Sequence, residues 1–461
     1  MLDEKVRTQA MTRLKKKGRL RDSPAIGRLP VPGRHEGHAV VVGSGPAGLF
    51  AAYVLGLSGL RVTLLDRGAR LEERGKRVVQ FHRTRVPDAE TNLLFGEGGA
   101  GTYSDGKLYT RVDHALEIPI LDELVDCGAP PDILYDARAH IGTDRLHRLI
   151  PKLRAKLAEA GVSFHWNTRL EGLVKRDRRV VAVRTTGGEI ACDHLVLALG
   201  HSARDSWTML QQQGVSFEAK PFQLGVRVEH PQELITKGRY GTDALGPASY
   251  NLVCKPAGTY SFCMCPGGRI VASVNEAGFL CTNGMSNARH SSGFANAALV
   301  TTFGPKEFGD GAFAGVAFQR RFEEAFFQAG GSDYTAPAQR VPDFLAGRLS
   351  EGPFRTSYVL GTRPGRIDEL MPGRGREALA RALESFDRQI EGFASDAGIL
   401  VGIETRSSGP VRMMRDPETR TAIGWENLYP IGEGAGYAGG IMSAALDGAR
   451  SAQRLLGVVE S

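Results

Sequence analysis

The run Val40-Val41-Val42-Gly43-Ser44-Gly45-Pro46-Ala47-Gly48 constrains this chain more than any other stretch. The valines predict a buried strand, and the small and apolar residues after Gly48 predict a helix. Between them, Gly43, Gly45 and Gly48 stand at GxGxxG spacing. Such glycines permit a tight turn, close approach of a pyrophosphate and close strand–helix packing. The turn, including Pro46 and Ala47, places an anion on a helix N-terminus, where free N–H groups and the helix dipole favour it. A second strand, Arg61–Leu65, delivers Asp66, positioned to accept hydrogen bonds from an adenosine ribose. The bare spacing recurs from Gly96 and from Gly434 without a second strand and acid. Context therefore carries the expectation of a nucleotide-binding, doubly wound α/β domain.

A chain of 461 residues has room for two or three domains. Residues 1–34 hold ten Lys or Arg and three Asp or Glu, which accounts for the whole net charge of +7. The remainder has no basic excess, so a nucleic-acid argument rests on this leader alone, read here as solvated and disordered. Six scattered cysteines do not form a disulfide framework, and no apolar signal segment follows the basic tail, which predicts a cytoplasmic protein. The apolar run 39–65 is broken by glycines and switches from strand to helix and back, so it predicts a buried βαβ unit without a membrane span.

Alternating strands and helices are expected from His38 to Gly200, with a helix over Thr143–Ala160 capped by Thr143 or Asp144 and kinked or broken at Pro151. The texture changes near Val215. Strand-like pieces (Gln223–Glu229, Tyr260–Cys265, Arg269–Ser273) alternate with Gly- and Pro-rich loops, which predicts an inserted substrate domain, 215–394, on a mainly antiparallel sheet. The FAD-binding domain is then discontinuous, 35–214 and 395–461. FAD is preferred over NAD because of Asn427-Leu-Tyr-Pro-Ile-Gly432-Glu433-Gly434-Ala-Gly436-Tyr437-Ala-Gly439-Gly440-Ile441. Here a strand delivers an acid and a glycine turn, and a helix, Met442–Leu456, follows without side-chain bulk at its start. In flavoproteins of this architecture such an acid binds the ribitol, and the helix end stabilises charge at the flavin N1/O2 edge. A third stretch, Gly96 to Gly106, carries five glycines in eleven residues, which implies close backbone approach to a ligand or an anion nest.

The strings FGEGGAGTYSDGKL, LALGHSARDSW, QLGVRVEHPQ, SFCMCPGG, TNGMSNARHSSG, IETRSSGPVR and YPIGEGAGYAGGIMSAALDG resemble the bacterial FAD-dependent dehydrogenase family, within the glutathione-reductase-type flavoproteins. The likeness runs over about residues 38–457. It implies that Gly43, Gly45, Gly48 and Asp66 hold the ADP half of FAD. It further implies that Gly98, Gly99, Thr102, Ser104 and Lys107 line the path from pyrophosphate to flavin. Gly432, Glu433, Gly440 and Ile441 fall to the ribitol and ring, and Gly200 ends the strand before the domain crossing. Leu199 and Glu433 stand where the wider group often has Thr and Asp.

No CxxxxC pair follows the first helix, and no second complete dinucleotide unit is present, so NAD(P)H, if used, docks transiently. Cys263 and Cys265, two apart on an expected strand, point to one face and read as a redox pair, a soft-metal half-site or core thiols. His201, following the strand end, reads as an acid, a base or a structural hydrogen-bonding group. Glu404 and Arg406 read as carboxylate-binding groups or as a buried ion pair. No metal site is expected. The expected function is hydride transfer between FAD and a small organic substrate; the rivals are an NAD(P)H- and oxygen-using monooxygenase and a nucleic-acid modifier that works through the basic leader.

Overall fold

The computed structural model describes residues 11–13, 16, 29, 33–136 and 139–458. Most of the basic leader, including all of Arg13–Arg21 except Arg13 and Lys16, lies outside the described residues. Leu29 does not fit a solvated leader: it is buried against the first core.

Along the chain run β1 (His38–Val42), α1 (Pro46–Leu57), β2 (Arg61–Leu65), α2 (Leu71–Thr84), α3 (Thr143–Glu159), β3 (Val162–His165) and β4 (His194–Leu197). Then come β5 (Phe222–Pro231), β6 (Thr259–Cys265), β7 (Phe294–Phe303), α4 (Ala314–Ala329), β8 (Ile399–Glu404), β9 (Leu428–Pro430) and α5 (Ile441–Leu455). Strands β9, β4, β1, β2 and β3 form one parallel sheet in that order. Helix α1 is apolar all round and buried from Ala47 to Gly56, as a helix clamped between a sheet and other helices must be. The final stretch does rejoin the first: a Cβ on Gly448 of α5 would lie 2.0 Å from the Ala47 carbonyl oxygen.

The second sheet has seven strands, with β6, β7, β5 and β8 antiparallel in its middle. The pair Ala336–Arg340 and Thr362–Pro364 is parallel, which makes the sheet mixed at one edge. Strand β8 belongs to this sheet, so the sheet continues past the expected boundary at Ala394. Its ten-residue central strands are buried throughout their middles, which explains why their sequence lacks a clean polar alternation.

Helix α3 departs from expectation at its start, and of the kink or break expected at Pro151 it shows no break. It remains one helix through Pro151, and its N-cap is Gly142. Thr143 Oγ1 donates instead to the Ser104 carbonyl (2.5 Å), and Asp144 accepts the Ala288 N–H (2.7 Å). Both side chains serve contacts distant in sequence.

Candidate cofactor and active site

Three glycine-rich stretches converge on one apolar cleft lined by Pro46, Gly98, Gly101, Thr102, Ile441 and Met442, among others. At the first turn, Gly43 has φ +105, and a Cβ there would lie 2.2 Å from the Ala198 carbonyl oxygen. A Cβ on Gly48 would lie 1.8 Å from the Gly43 oxygen. Packing within the protein therefore demands both glycines. Gly45 differs: its backbone is extended (φ −72), and the nearest atom to a Cβ is Gly99 Cα at 3.9 Å. Nothing in the protein requires glycine there, whereas a group seated at the α1 N-terminus would. That helix starts with no side-chain cap, leaving its first N–H groups for such a group.

Asp66 is placed at the end of β2 as expected, but its carboxylate is filled by the protein. Oδ2 accepts Ser44 N (2.9 Å) and Ser44 Oγ (2.5 Å), while Oδ1 accepts Gly68 N (2.8 Å) and Gly96 N (3.0 Å). These four donors use the lone pairs a ribose would need. Asp66 fastens the first glycine turn to the Gly96 loop.

Gly98 and Gly99 both lie in the left-handed region, φ 82 and 65. A Cβ on Gly99 would stand 2.9 Å from Gly45 Cα, so this loop closes over the first turn. The Thr102 hydroxyl donates to the Glu97 carbonyl (3.4 Å), and Ser104 Oγ donates to Gly101 O (2.7 Å) while accepting Gly106 N (3.0 Å). Both hydroxyls shape the loop itself. Lys107 turns away from the expected phosphate path: its ammonium donates to the Met264 carbonyl and pairs with Asp105, each at 2.5 Å. Beneath the loop lies Arg74 of α2, fully buried, donating to the carbonyls of Asn92 (2.8 Å), Gly96 (3.3 Å) and Glu97 (2.6 Å). Its partners lie some twenty residues on, and only a basic residue in a helix hinted at it.

At the C-terminal turn, Gly432 has φ +71 and its N–H donates to Asp447 of α5 (2.7 Å), which Arg415 grips with two bonds. A Cβ on Gly432 would meet Ala47 Cβ at 2.8 Å, so the two turns touch. The Glu433 carboxyl has no hydrogen-bond partner among the described residues; burial pushes it up to about 8, against the opposing pull of Lys220. Helix α5 begins at Gly440 with no side-chain cap, and a Cβ there meets only Ser443 Oγ at 3.9 Å, while one on Gly439 meets nothing. Open glycines, two uncapped helix starts and an unpartnered, half-buried carboxyl fit a dinucleotide with a polyol chain.

The catalytic candidates divide in two: Glu404 pairs with Arg227, while Arg406 and His201 meet at the Ser202 hydroxyl. The Glu404 carboxylate accepts Arg227 Nε (2.7 Å); burial pushes it up to about 7, and Arg227 opposes this. Arg406 grips Glu323 with Nε (3.0 Å) and Nη2 (2.8 Å), and Arg204, which follows β4 in the chain, grips the same carboxylate. Burial would raise Glu323, but the two guanidiniums hold it well below the usual carboxylate range. Of the two readings open for Glu404 and Arg406, the structure has buried ion pairs, though with other partners. His201 Nδ1 lies 2.8 Å from Ser202 Oγ, and burial, aided by Arg406 and Arg204, pushes the ring down to about 4. It is neutral near pH 7 and a poor base there. Gly200 packs on the C-terminal turn: a Cβ on Gly434 would lie 2.5 Å from its oxygen. Among the described residues no cluster of side chains suits a metal ion, and no helix is long and apolar enough to cross a membrane.

Three family profiles match this chain. "FAD-dependent protein, C-terminal domain-like" covers residues 221–407, "FAD dependent oxidoreductase" covers 132–272, and "NAD(P)-binding Rossmann-like domain" covers 41–79. A protein of Clostridium beijerinckii, described only as uncharacterized, is 42% identical over 429 residues, spanning 90% of this chain and 80% of that one. Glycine oxidase of Pseudomonas aeruginosa is 27% identical over 250 residues, 44% of this chain and 66% of that one. Among solved structures, L-proline dehydrogenase from P. horikoshii aligns over 94% of this chain and 96% of its own, at 11% identity and TM-score 0.39.

Proposed function

This chain belongs to the FAD-dependent oxidoreductases, and we propose that it moves hydride between the flavin and a small organic molecule as a dehydrogenase of the glutathione-reductase type. The observation that carries this reading is the convergence of Pro46, Gly98, Gly101, Thr102, Ile441 and Met442 on one cleft, from three stretches far apart in sequence. When bound, FAD supplies the redox chemistry, and the protein supplies binding and orientation.

In this reading Gly43, Gly45, Pro46, Ala47 and Gly48 hold the pyrophosphate at the α1 N-terminus, and Gly98 and Gly99 close over it. Asp66, Thr102 and Ser104 keep those loops in shape, and Gly200 and Gly432 set the turns that follow the neighbouring strands β4 and β9. Glu433, protonated near pH 7, both donates to and accepts from ribitol hydroxyls. The free N–H groups at Gly440 and Ile441 favour negative charge on the neighbouring ring edge, by about 0.3–2 kcal/mol. The profile named for NAD(P) covers the same turn, so it supplies no second nucleotide site, and a nicotinamide donor would act in passing. With six free cysteines, the reducing cytoplasm suits the protein.

The test is anaerobic addition of NADH, NADPH, amino acids and other small metabolites to the purified yellow protein. Loss of the flavin band on adding one of them identifies the donor. A colourless protein unable to take up FAD would end the proposal, and oxygen consumption coupled to substrate hydroxylation would replace it with the monooxygenase.

A further inference from the structure

Cys263 and Cys265 lie in β6 where its pairing with β7 takes in an extra residue. Phe262 pairs with Ala298, and the next pair is Cys265 with Asn296. At the bulge Cys263 has φ 44, a left-handed conformation that is costly for a residue with a Cβ. Bulges re-aim side chains and gather near active sites. Simple alternation of faces therefore does not hold across the two cysteines, and Cys265 turns back toward Cys263. The neighbouring Cys265 lowers the Cys263 thiol, and Cys263 in turn raises that of Cys265. Cys265 Sγ also lies 3.3 Å from the Cys263 carbonyl oxygen.

Two cations flank the pair. Lys107 donates to the carbonyl of the intervening Met264 (2.5 Å), and Arg227 Nη1 donates to the Cys263 carbonyl (3.0 Å). Both add to the stabilisation of a Cys263 thiolate. Cys263 is half-buried and Cys265 fully buried, an arrangement of one approachable and one protected sulfur. Elsewhere burial is the largest cause and pushes thiols up, Cys127 and Cys281 to about 11 and Cys192 to about 12, which disfavours their thiolates. The segment carrying Lys107 also reaches the cofactor cleft. Ser104 Oγ bridges Gly106 and Gly101, and a Cβ on Gly101 would touch Ile441 at the start of α5 (3.0 Å).

We infer that Cys263 and Cys265 form a second redox centre, a dithiol–disulfide couple that exchanges two electrons with the flavin and serves a low-molecular-weight disulfide or its thiol. The inference rests on the FAD reading above. The Cys263 thiolate attacks one sulfur of the small disulfide and releases the first thiol. Cys265 then gives up its proton and attacks Cys263, forming the Cys263–Cys265 bond and releasing the second thiol. Two electrons and two protons from the reduced flavin break that bond again, so one small disulfide becomes two thiols per reduced flavin oxidised.

The test starts from FAD-loaded protein oxidised with diamide, freed of reagent and titrated with dithionite under argon. The flavin band is followed, and the peptide spanning Cys263 and Cys265 is weighed after alkylation. The wild type should consume two two-electron equivalents per FAD. The peptide should be unalkylated and two mass units lighter before titration, and doubly alkylated after it. Cys263→Ser and Cys265→Ser should each consume one equivalent, while Cys281→Ser should keep two. A wild type that consumes one equivalent, with both cysteines alkylated throughout, overturns the inference, as does a Cys263→Ser protein that still consumes two. Wild-type peptide masses decide the matter even if a variant fails to fold. A protein without a flavin band defeats the FAD reading instead.

Discussion

The first and last glycine turns look alike in sequence and differ in what holds them. Around β1 and α1, Gly43 and Gly48 are forced by backbone atoms about 2 Å from where a Cβ would sit, and only Gly45 is open. At the C-terminal turn the packed glycines come first and the open ones last. Gly432, Gly434 and Gly436 pack on Ala47, Gly200 and Val411, while the last two glycines, Gly439 and Gly440, face open space. Each turn thus has glycines that serve the fold and glycines that leave room for a ligand. The distinction separates two kinds of mutational failure.

Changes at the packed positions should have the largest effect. Gly48→Ala forces a Cβ against the Gly43 oxygen and should cost more than about 3 kcal/mol, seen as loss of soluble, cooperatively unfolding protein. Next in size is Arg74→Ala, which takes a charged donor from three carbonyls beneath the Gly96 loop. It should lower stability by about 3 kcal/mol in urea unfolding and release FAD. The open positions should behave oppositely. Gly45→Val and Gly440→Val should leave apoprotein stability within about 0.5 kcal/mol. They should weaken FAD binding about tenfold to a hundredfold, measured by quenching of flavin fluorescence. Equal losses of stability at Gly45 and Gly48 would erase the comparison.

The smallest effect concerns Glu433, whose carboxyl is raised from 4.5 to about 8 in the folded protein. A raised acid binds its proton more tightly when folded, so its stabilising contribution is whole below about pH 4.5 and is lost as pH rises toward about 8. Glu433→Gln, which cannot ionise, should gain on the order of 1–3 kcal/mol over wild-type apoprotein between those limits. Unfolding curves at pH 5 and pH 8 that keep a constant gap between the two proteins would remove the burial argument.

What could be read in the sequence was local. The β1–turn–α1 unit and the helix after Gly440 each announce themselves within twenty residues. Partnerships across the chain do not. Arg227 reaches Glu404 over 177 positions, and Arg406 reaches Glu323 over 83, so the Ile-Glu-Thr-Arg string gave no hint that its two charges serve different partners. Asp66 was legible as an acid at the right place but not as one already supplied with four donors, two of them from Ser44. Lys107 was misjudged for the same reason: its partner, Met264, lies 157 residues away on another sheet. The extra residue between Phe262 and Cys265 could not be foreseen either, because a bulge depends on the pairing strand.

The contact between Ala47 and Gly448 has a temporal side. A growing polypeptide emits α1 long before α5, which supplies part of the surface against which α1 rests. Until then the apolar flank of α1 has no cover, and the flavin has only half a receptacle. Cofactor capture should therefore wait until α5 has been made and has packed on α1.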